Sequence, residues 1–211
     1  MKGAIFDVDG TLLDSMNMWF DLVVDFFRMH GKELTREEAE EYGDVTLEES
    51  VPVIIERLGL DTTTEKLITE LKMMAVKQYE EVLPLKAGAA EYMKSLHDNG
   101  VKIAIATSGY EELCKRAFTR LGVWQYIDAC AFSAEVGVNK SNPDVYLLAA
   151  ERIGTSPADT VVFEDILKGI QGAKKGGFRT CAVYDKSNEA ETERLKQSAD
   201  RYITSWLELL K

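Results

Sequence analysis

The feature that most constrains this fold is a change of rhythm along the chain. From Leu85 onward, short apolar runs alternate with amphipathic segments of helix length, whereas about Asp14 to Leu83 holds no comparable run. In the later part, a helix over about Ala89–Asp98 leads through Asn99-Gly100 into a strand at Val101–Thr107. A helix over about Glu111–Leu121 precedes a short strand-like segment at Ala129–Ser133. Asn142-Pro143 opens the next helix, with Asn as cap and Pro at its first position. Thr160–Phe163 reads as a strand ending in Glu164-Asp165. A helix over about Lys168–Lys175 stops at Gly176-Gly177. Phe178–Val183 is the next strand, and Ala199–Ile203 adds a short one before a final helix. Lys2–Val8 is a further apolar run, and it too ends in acidic residues and a glycine. Strands alternating with helices predict an α/β fold built on a parallel sheet.

The intervening block reads as all-helical. Met16, Trp19, Phe20, Val23, Val24 and Phe27 recur at helical spacing, as do Val51, Ile54, Ile55 and Leu58, and then Leu67, Leu71 and Met74. Thr35-Arg36-Glu37-Glu38 is a helix start, a Thr cap followed by acidic residues in the first turn. Trp19 and Phe20 read as core of this block, Met73 and Met74 as packing, and Glu37–Glu41 as a solvated helix face. The expected organisation is a core of residues 1–14 and 84–211 with a helical domain of residues 15–83 inserted after the first strand. Leu13-Asp14-Ser15 and Leu83-Pro84-Leu85 are the hinge candidates.

Several partners are disfavoured by composition. The 211 residues are 45% hydrophobic and 29% charged, with a formal net charge of -11. Such a surface repels nucleic acid and anionic lipid. It also repels phosphorylated molecules at long range, so an anion site has to be built locally from a cation, a lysine or backbone N–H groups. No run approaches the ~20 apolar residues of a membrane span. The N-terminal run is broken at Asp7 and Asp9 and does not read as a signal peptide. Cys114, Cys130 and Cys181 form no C-x-x-C pair and read as reduced thiols of a cytoplasmic protein, which is expected to be a monomer. Asn139-Lys140-Ser141 fits a glycosylation sequon by chance on that reading.

Polar residues follow several of the strands: Asp7 and Asp9 after the first, Thr107 and Ser108 after the second, Glu164 and Asp165 after a later one. In open α/β sheets, ligands bind beyond the carboxyl ends of the strands. Four carboxylates meeting there repel one another unless a cation joins them, and an all-oxygen site suits Mg²⁺ better than zinc. Lys140 is then available to offset phosphate charge.

With these residues in order, the chain resembles the haloacid dehalogenase superfamily, in the phosphatase and beta-phosphoglucomutase-like branch with a helical cap. The resemblance rests on Asp7-Val8-Asp9-Gly10-Thr11-Leu12, on Ile105-Ala106-Thr107-Ser108-Gly109, on Lys140 ahead of Pro143-Asp144, and on Phe163-Glu164-Asp165 ahead of Gly169-Ile170 and Ala173. It implies a Rossmann-like core under a helical cap. It also implies a magnesium-dependent phosphatase acting on a small phosphorylated metabolite. Asp7 would be the nucleophile, forming an aspartyl phosphate, and Asp9 the general acid and then base. Thr107, Ser108 and Lys140 would hold phosphate oxygens. Mg²⁺ would be bound by Asp7, the Asp9 carbonyl and Asp165, with Glu164 direct or through water. The dehalogenases of the superfamily lack an acid at the position of Asp9, which favours phosphate esters here. Three positions depart from the family pattern: Ser141 for a proline, Ile166 for a serine, and Trp19 for the histidine of the sugar-phosphate mutases. A mutase is the alternative expectation, and a catalytically weak binding protein on the same fold is a third.

Overall fold

The structure, a computed structural model, describes residues 1–35, 38–39, 42 and 47–210. The chain divides into two compact units, Met1–Asp14 with Pro84–Lys211, and Ser15–Leu83.

In the first unit, the apolar runs become strands β1 (Gly3–Phe6), β2 (Lys102–Thr107), β3 (Ala129–Phe132), β4 (Thr160–Glu164), β5 (Arg179–Val183) and β6 (Arg201–Ile203). All pairings are parallel, in the order β3-β2-β1-β4-β5-β6. The chain builds outward from β1 to β2 and β3, then crosses back to lay β4 on the other side of β1. The switch point therefore lies between β1 and β4, whose carboxyl ends carry Asp7 and Glu164-Asp165. Register pairs Phe6 with Phe163, so the two acidic ends finish level.

Side-chain alternation sends successive residues to opposite faces. Ile5, Ala104, Ala106, Ala131 and Val162 join one buried cluster with Val145, Tyr146 and Ala149. Toward the other face Phe6 stacks on Phe163, with centroids 4.8 Å apart, and both meet Tyr92 and Trp206. Burying one such side chain is worth about 1.5–3 kcal/mol. These clusters thus help offset the cost of burying carboxylates at the ends of the same strands.

In the second unit, α1 (Met16–Met29), α2 (Leu47–Leu58) and α3 (Thr64–Lys77) form, and no strand occurs among its described residues. Helix α1 buries Phe20, Leu22, Val23, Phe26 and Phe27, so Trp19 flanks the apolar stripe. Helix α3 buries Leu67, Leu71 and Ala75; Met74 is half-buried, and Met73 is 67% exposed, which corrects its reading as packing. The chain then widens into a π-helical turn, Gln78–Val82, before Pro84 stops the helix. Thr35 N–H donates to Glu38 Oε2 at 2.9 Å, and Glu38 N–H to Thr35 Oγ1 at 3.2 Å, the reciprocal pair of a capping box. The rest of that expected helix, and most of the acidic stretch Glu37–Glu41, lies outside the described residues.

Back in the first unit, the chain continues through α4 (Ala89–Asp98), α5 (Glu111–Arg120), the single turn α6 (Ser133–Val136), α7 (Asp144–Arg152), α8 (Leu167–Lys175) and α9 (Thr192–Ser198). Two expectations are corrected. Helix α7 starts at Asp144 behind Pro143, which takes the cap position with no side-chain cap, and Asn142 lies one residue earlier with its N–H on the Asn139 carbonyl at 3.0 Å. The expected terminal helix is one 3₁₀ turn, Trp206–Leu209, capped by Ser205.

Candidate active site

The first acidic residue is placed by the sheet. Asp7 N–H still donates to the Phe163 carbonyl at 3.0 Å, as though β1 continued. The chain then folds over: Leu12 and Leu13 N–H groups both bond the Val8 carbonyl, at 2.9 and 2.8 Å, and Gly10 takes φ +81°. That left-handed turn is why a glycine follows Asp9. Asp9 thus lies on a loop and not on the strand.

Asp7, Glu164 and Asp165 are all buried, and one carboxylate oxygen from each lies within 4.8 Å of the others. At that separation and an effective dielectric of about 20, each pair of charges repels by about 3 kcal/mol or more. Lys140, 5% exposed, enters the cluster. Its Nζ donates to Asp7 Oδ1, and to Glu164 Oε1 at 2.6 Å. Burial pulls the Lys140 ammonium toward neutrality, but Asp7 and Glu164 outweigh it and raise its pKa.

Lys140 offsets only part of the charge. Three carboxylates against one ammonium leave two formal negative charges in the cluster. Burial, then the charges of Asp7 and Glu164, push Asp165 well above the usual carboxylate range. Glu164 is raised by burial and by Asp7, against the opposing pull of Lys140. An all-oxygen donor set carrying this excess fits a hard divalent cation, so Asp7, Asp165 and Glu164 are the residues that could hold one.

Other groups fix the acids. Thr11 Oγ1 donates to Asp165 Oδ1 at 2.8 Å, and Asn188 Nδ2 to Asp165 Oδ2 at 2.9 Å. Tyr146 OH donates to Glu164 Oε1 at 2.8 Å. Two glycines of α8 make room. A Cβ on Gly169 would overlap the Glu164 carboxyl, and one on Gly172 would overlap the Lys140 carbonyl oxygen. Helix α8 can approach the lysine loop only with no side chain at that position.

Thr107 is buried at the end of β2, where its hydroxyl accepts the Gly109 N–H at 2.9 Å. Gly109 lies between that hydroxyl and Asp9 Oδ2: a Cβ there would sit 3.3 and 3.5 Å from the two oxygens. Ser108 is exposed, its Oγ 3.1 Å from Ser133 Oγ. Asp7, Lys140, Glu164 and Asp165 therefore form one contact cluster, while Asp9 and Thr107 each lie near Gly109. Sequence reading gave no role to the side chains of Thr11, Tyr146 or Asn188, or to the bare backbone of Gly172. Thr11 stands within the Asp7–Leu12 run and Tyr146 just after Pro143-Asp144, so both had a local signal. Asn188 had none. The three cysteines are free thiols, two of them buried. No helix among the described residues is long and apolar enough to cross a membrane.

Residues 4–183 match the haloacid dehalogenase-like hydrolase family. The phosphorylated carbohydrates phosphatase of Thermotoga maritima is 28% identical over 178 residues, covering 84% of this chain and 82% of that protein. Hexitol phosphatase B of Escherichia coli K12 is 25% identical over 211 residues, or 98% of this chain and 93% of that protein. The crystal structure of CbbY from Rhodobacter sphaeroides in complex with phosphate shares the fold, with a TM-score of 0.88 at 23% identity over 99% of this chain and 96% of that one. With its acidic cluster at the switch point of the sheet and a family match that runs from β1 to the end of β5, the chain belongs to the haloacid dehalogenase-like hydrolases.

Proposed function

We propose that this protein is a Mg²⁺-dependent phosphatase that hydrolyses a small phosphate monoester, a phosphorylated carbohydrate or related metabolite, through an aspartyl phosphate on Asp7. The observation that carries the reading is the convergence of Asp7, Lys140, Glu164 and Asp165 at the carboxyl ends of β1 and β4.

In the first step an Asp7 carboxylate oxygen attacks phosphorus in line with the ester oxygen. The ester O–P bond breaks as the new one forms, and Asp9 gives its proton to the departing oxygen. In the second step Asp9 takes a proton from water, whose oxygen attacks phosphorus and releases Asp7. Lys140 already contacts the nucleophile, so a phosphoryl group reaching Asp7 arrives beside an ammonium. The Thr107 hydroxyl and the N–H groups of Val8, Asp9 and Ser108 are the remaining donors for phosphoryl oxygens. Asp7 and Asp165, with the Asp9 carbonyl and Glu164, would hold Mg²⁺, which would supply positive charge to the transferring oxygens.

Hydrolysis is favoured over transfer to a sugar because Trp19 stands where the related mutases carry histidine. Its indole N–H is donated to the Tyr79 hydroxyl at 3.1 Å, and an indole cannot exchange protons with substrate. Phosphate release from an aryl phosphate and from a set of hexose and hexitol phosphates tests the proposal. Release should require Mg²⁺, stop with chelator and vanish in Asp7→Asn. Interconversion of sugar 1- and 6-phosphates with little phosphate release would replace hydrolysis by mutase activity.

A further inference from the structure

Asp165 differs from the other acids of the cluster in how it is held. Asp7 and Glu164 each meet the Lys140 ammonium. The two donors on Asp165 are neutral, one on each oxygen: the Thr11 hydroxyl on Oδ1 and the Asn188 amide on Oδ2. A carboxylate's terminal torsion is soft and broad. Two donors from separate loops, one on either side, fix its plane without cancelling the charge a cation would use. A lysine in place of Asn188 would compete with the cation for the same oxygen.

The turn that carries Asn188 is pinned in its own right. Asn188 lies in the 3₁₀ segment Lys186–Glu191, at a non-helical break (φ -106°, ψ 19°), and its N–H bonds the Asp185 carbonyl at 3.1 Å. Asp185, 7% exposed, accepts the N–H and hydroxyl of Ser187 at 2.9 and 2.6 Å. It also pairs with Lys86 at 2.7 Å, and Lys86 Nζ donates to the Tyr184 carbonyl at 2.7 Å. The Lys86 N–H in turn bonds the Leu12 carbonyl at 2.8 Å, next to Thr11. Both donors to Asp165 therefore hang on one network. A buried ion pair gives little net stability; what Lys86–Asp185 supplies is a fixed position for this turn.

We propose that Asn188 is a positioning residue, which orients the Asp165 carboxylate and thereby sets the affinity of the cluster for its divalent cation. The inference rests on the reading of Asp165 as a metal ligand. Its test is direct Mn²⁺ binding to the full chain without substrate, followed by the electron paramagnetic resonance of the free ion, on wild type, Asp165→Asn, Asn188→Ala and Asn188→Leu. Thermal unfolding without metal is measured in parallel. Loss of a partner behind a metal ligand typically costs about 10- to 100-fold in affinity. That weakening is expected in both Asn188 variants, with a metal-free unfolding midpoint close to wild type. Wild-type Mn²⁺ affinity in the Asn188 variants, beside weakened binding in Asp165→Asn, would overturn the role of Asn188 and leave the metal reading standing. A lowered midpoint with unchanged affinity would reduce Asn188 to a structural residue. Unchanged binding in Asp165→Asn would remove the metal reading itself, and this inference with it.

Discussion

Asp7 and Asp9 are two residues apart and are held differently. Asp7 is held by the sheet, its N–H on the Phe163 carbonyl, and has Lys140 on its oxygen. Asp9 lies past the start of the turn, with its Oδ2 beside Gly109. Proton transfer by a placed side chain is worth about 10² to 10⁴ in rate. Asp9→Asn should therefore lose more on an alkyl phosphate than on an aryl phosphate, whose leaving group needs little protonation. Attack by water on the aspartyl phosphate would stay slow. Rapid-quench kinetics should show a burst of aryl product in Asp9→Asn and none in Asp7→Asn. Recovery of phosphorylated protein from Asp7→Asn would place the nucleophile elsewhere. These two aspartates were visible in sequence because each interrupts an apolar run where a buried charge needs a reason. The Asn188 side chain was not visible, because its relation to Asp165 is a distance across two loops with no local pattern behind it.

Helix α8 brings a second kind of constraint, in which an absent side chain matters. Its Gly172 lets the Lys140 carbonyl approach the helix backbone. Gly172→Ala forces the lysine loop outward, and overpacking of this kind costs about 1–3 kcal/mol. The larger effect should fall on activity, since displacing a catalytic group by about 1 Å can cost ~10²-fold. A fall in kcat on that order is expected, against little change for Gln171→Ala on the exposed side of the same helix. Wild-type kcat in Gly172→Ala would show that the loop position does not govern catalysis. How readable each element was follows the same logic of packing. Helix α4 matches its expected span because Ala89, Tyr92, Met93 and Leu96 repeat the helical spacing on one buried face. Helix α9 escaped notice because it buries Leu195 alone. The terminal segment shortened to a 3₁₀ turn because Trp206 is drawn into the aromatic cluster, with its indole N–H on the Thr11 carbonyl at 3.3 Å. Asn142 and Pro143 carried a genuine start signal, displaced by one residue: Pro143, not Asn142, takes the cap position.

Within the first unit, the chain leaves and returns at nearly one point. Asp14 N–H bonds the Pro84 carbonyl at 3.1 Å, Leu13 bridges Leu85, and Lys86 N–H bonds Leu12. The sheet, its buried clusters and the acidic site all belong to this unit. Chain closure across so short a gap needs only a tight turn, and the entropic cost of a short loop is small. Replacing residues 15–83 with a short Gly-Ser turn should therefore leave a protein that unfolds cooperatively and still binds Mn²⁺. Far-ultraviolet circular dichroism should lose the helical signal of α1, α2 and α3 and keep that of the α/β unit. Aryl phosphate hydrolysis should persist at a reduced rate, because Asp7, Lys140, Glu164 and Asp165 stay in place. Discrimination among sugar phosphates should collapse if the inserted helices supply the substrate contacts, as expected of a cap. A non-cooperative transition would show that the core depends on the insertion for its fold. Retention of full substrate preference by a folded, truncated protein would place specificity in the α/β unit and deny the helical insertion that role.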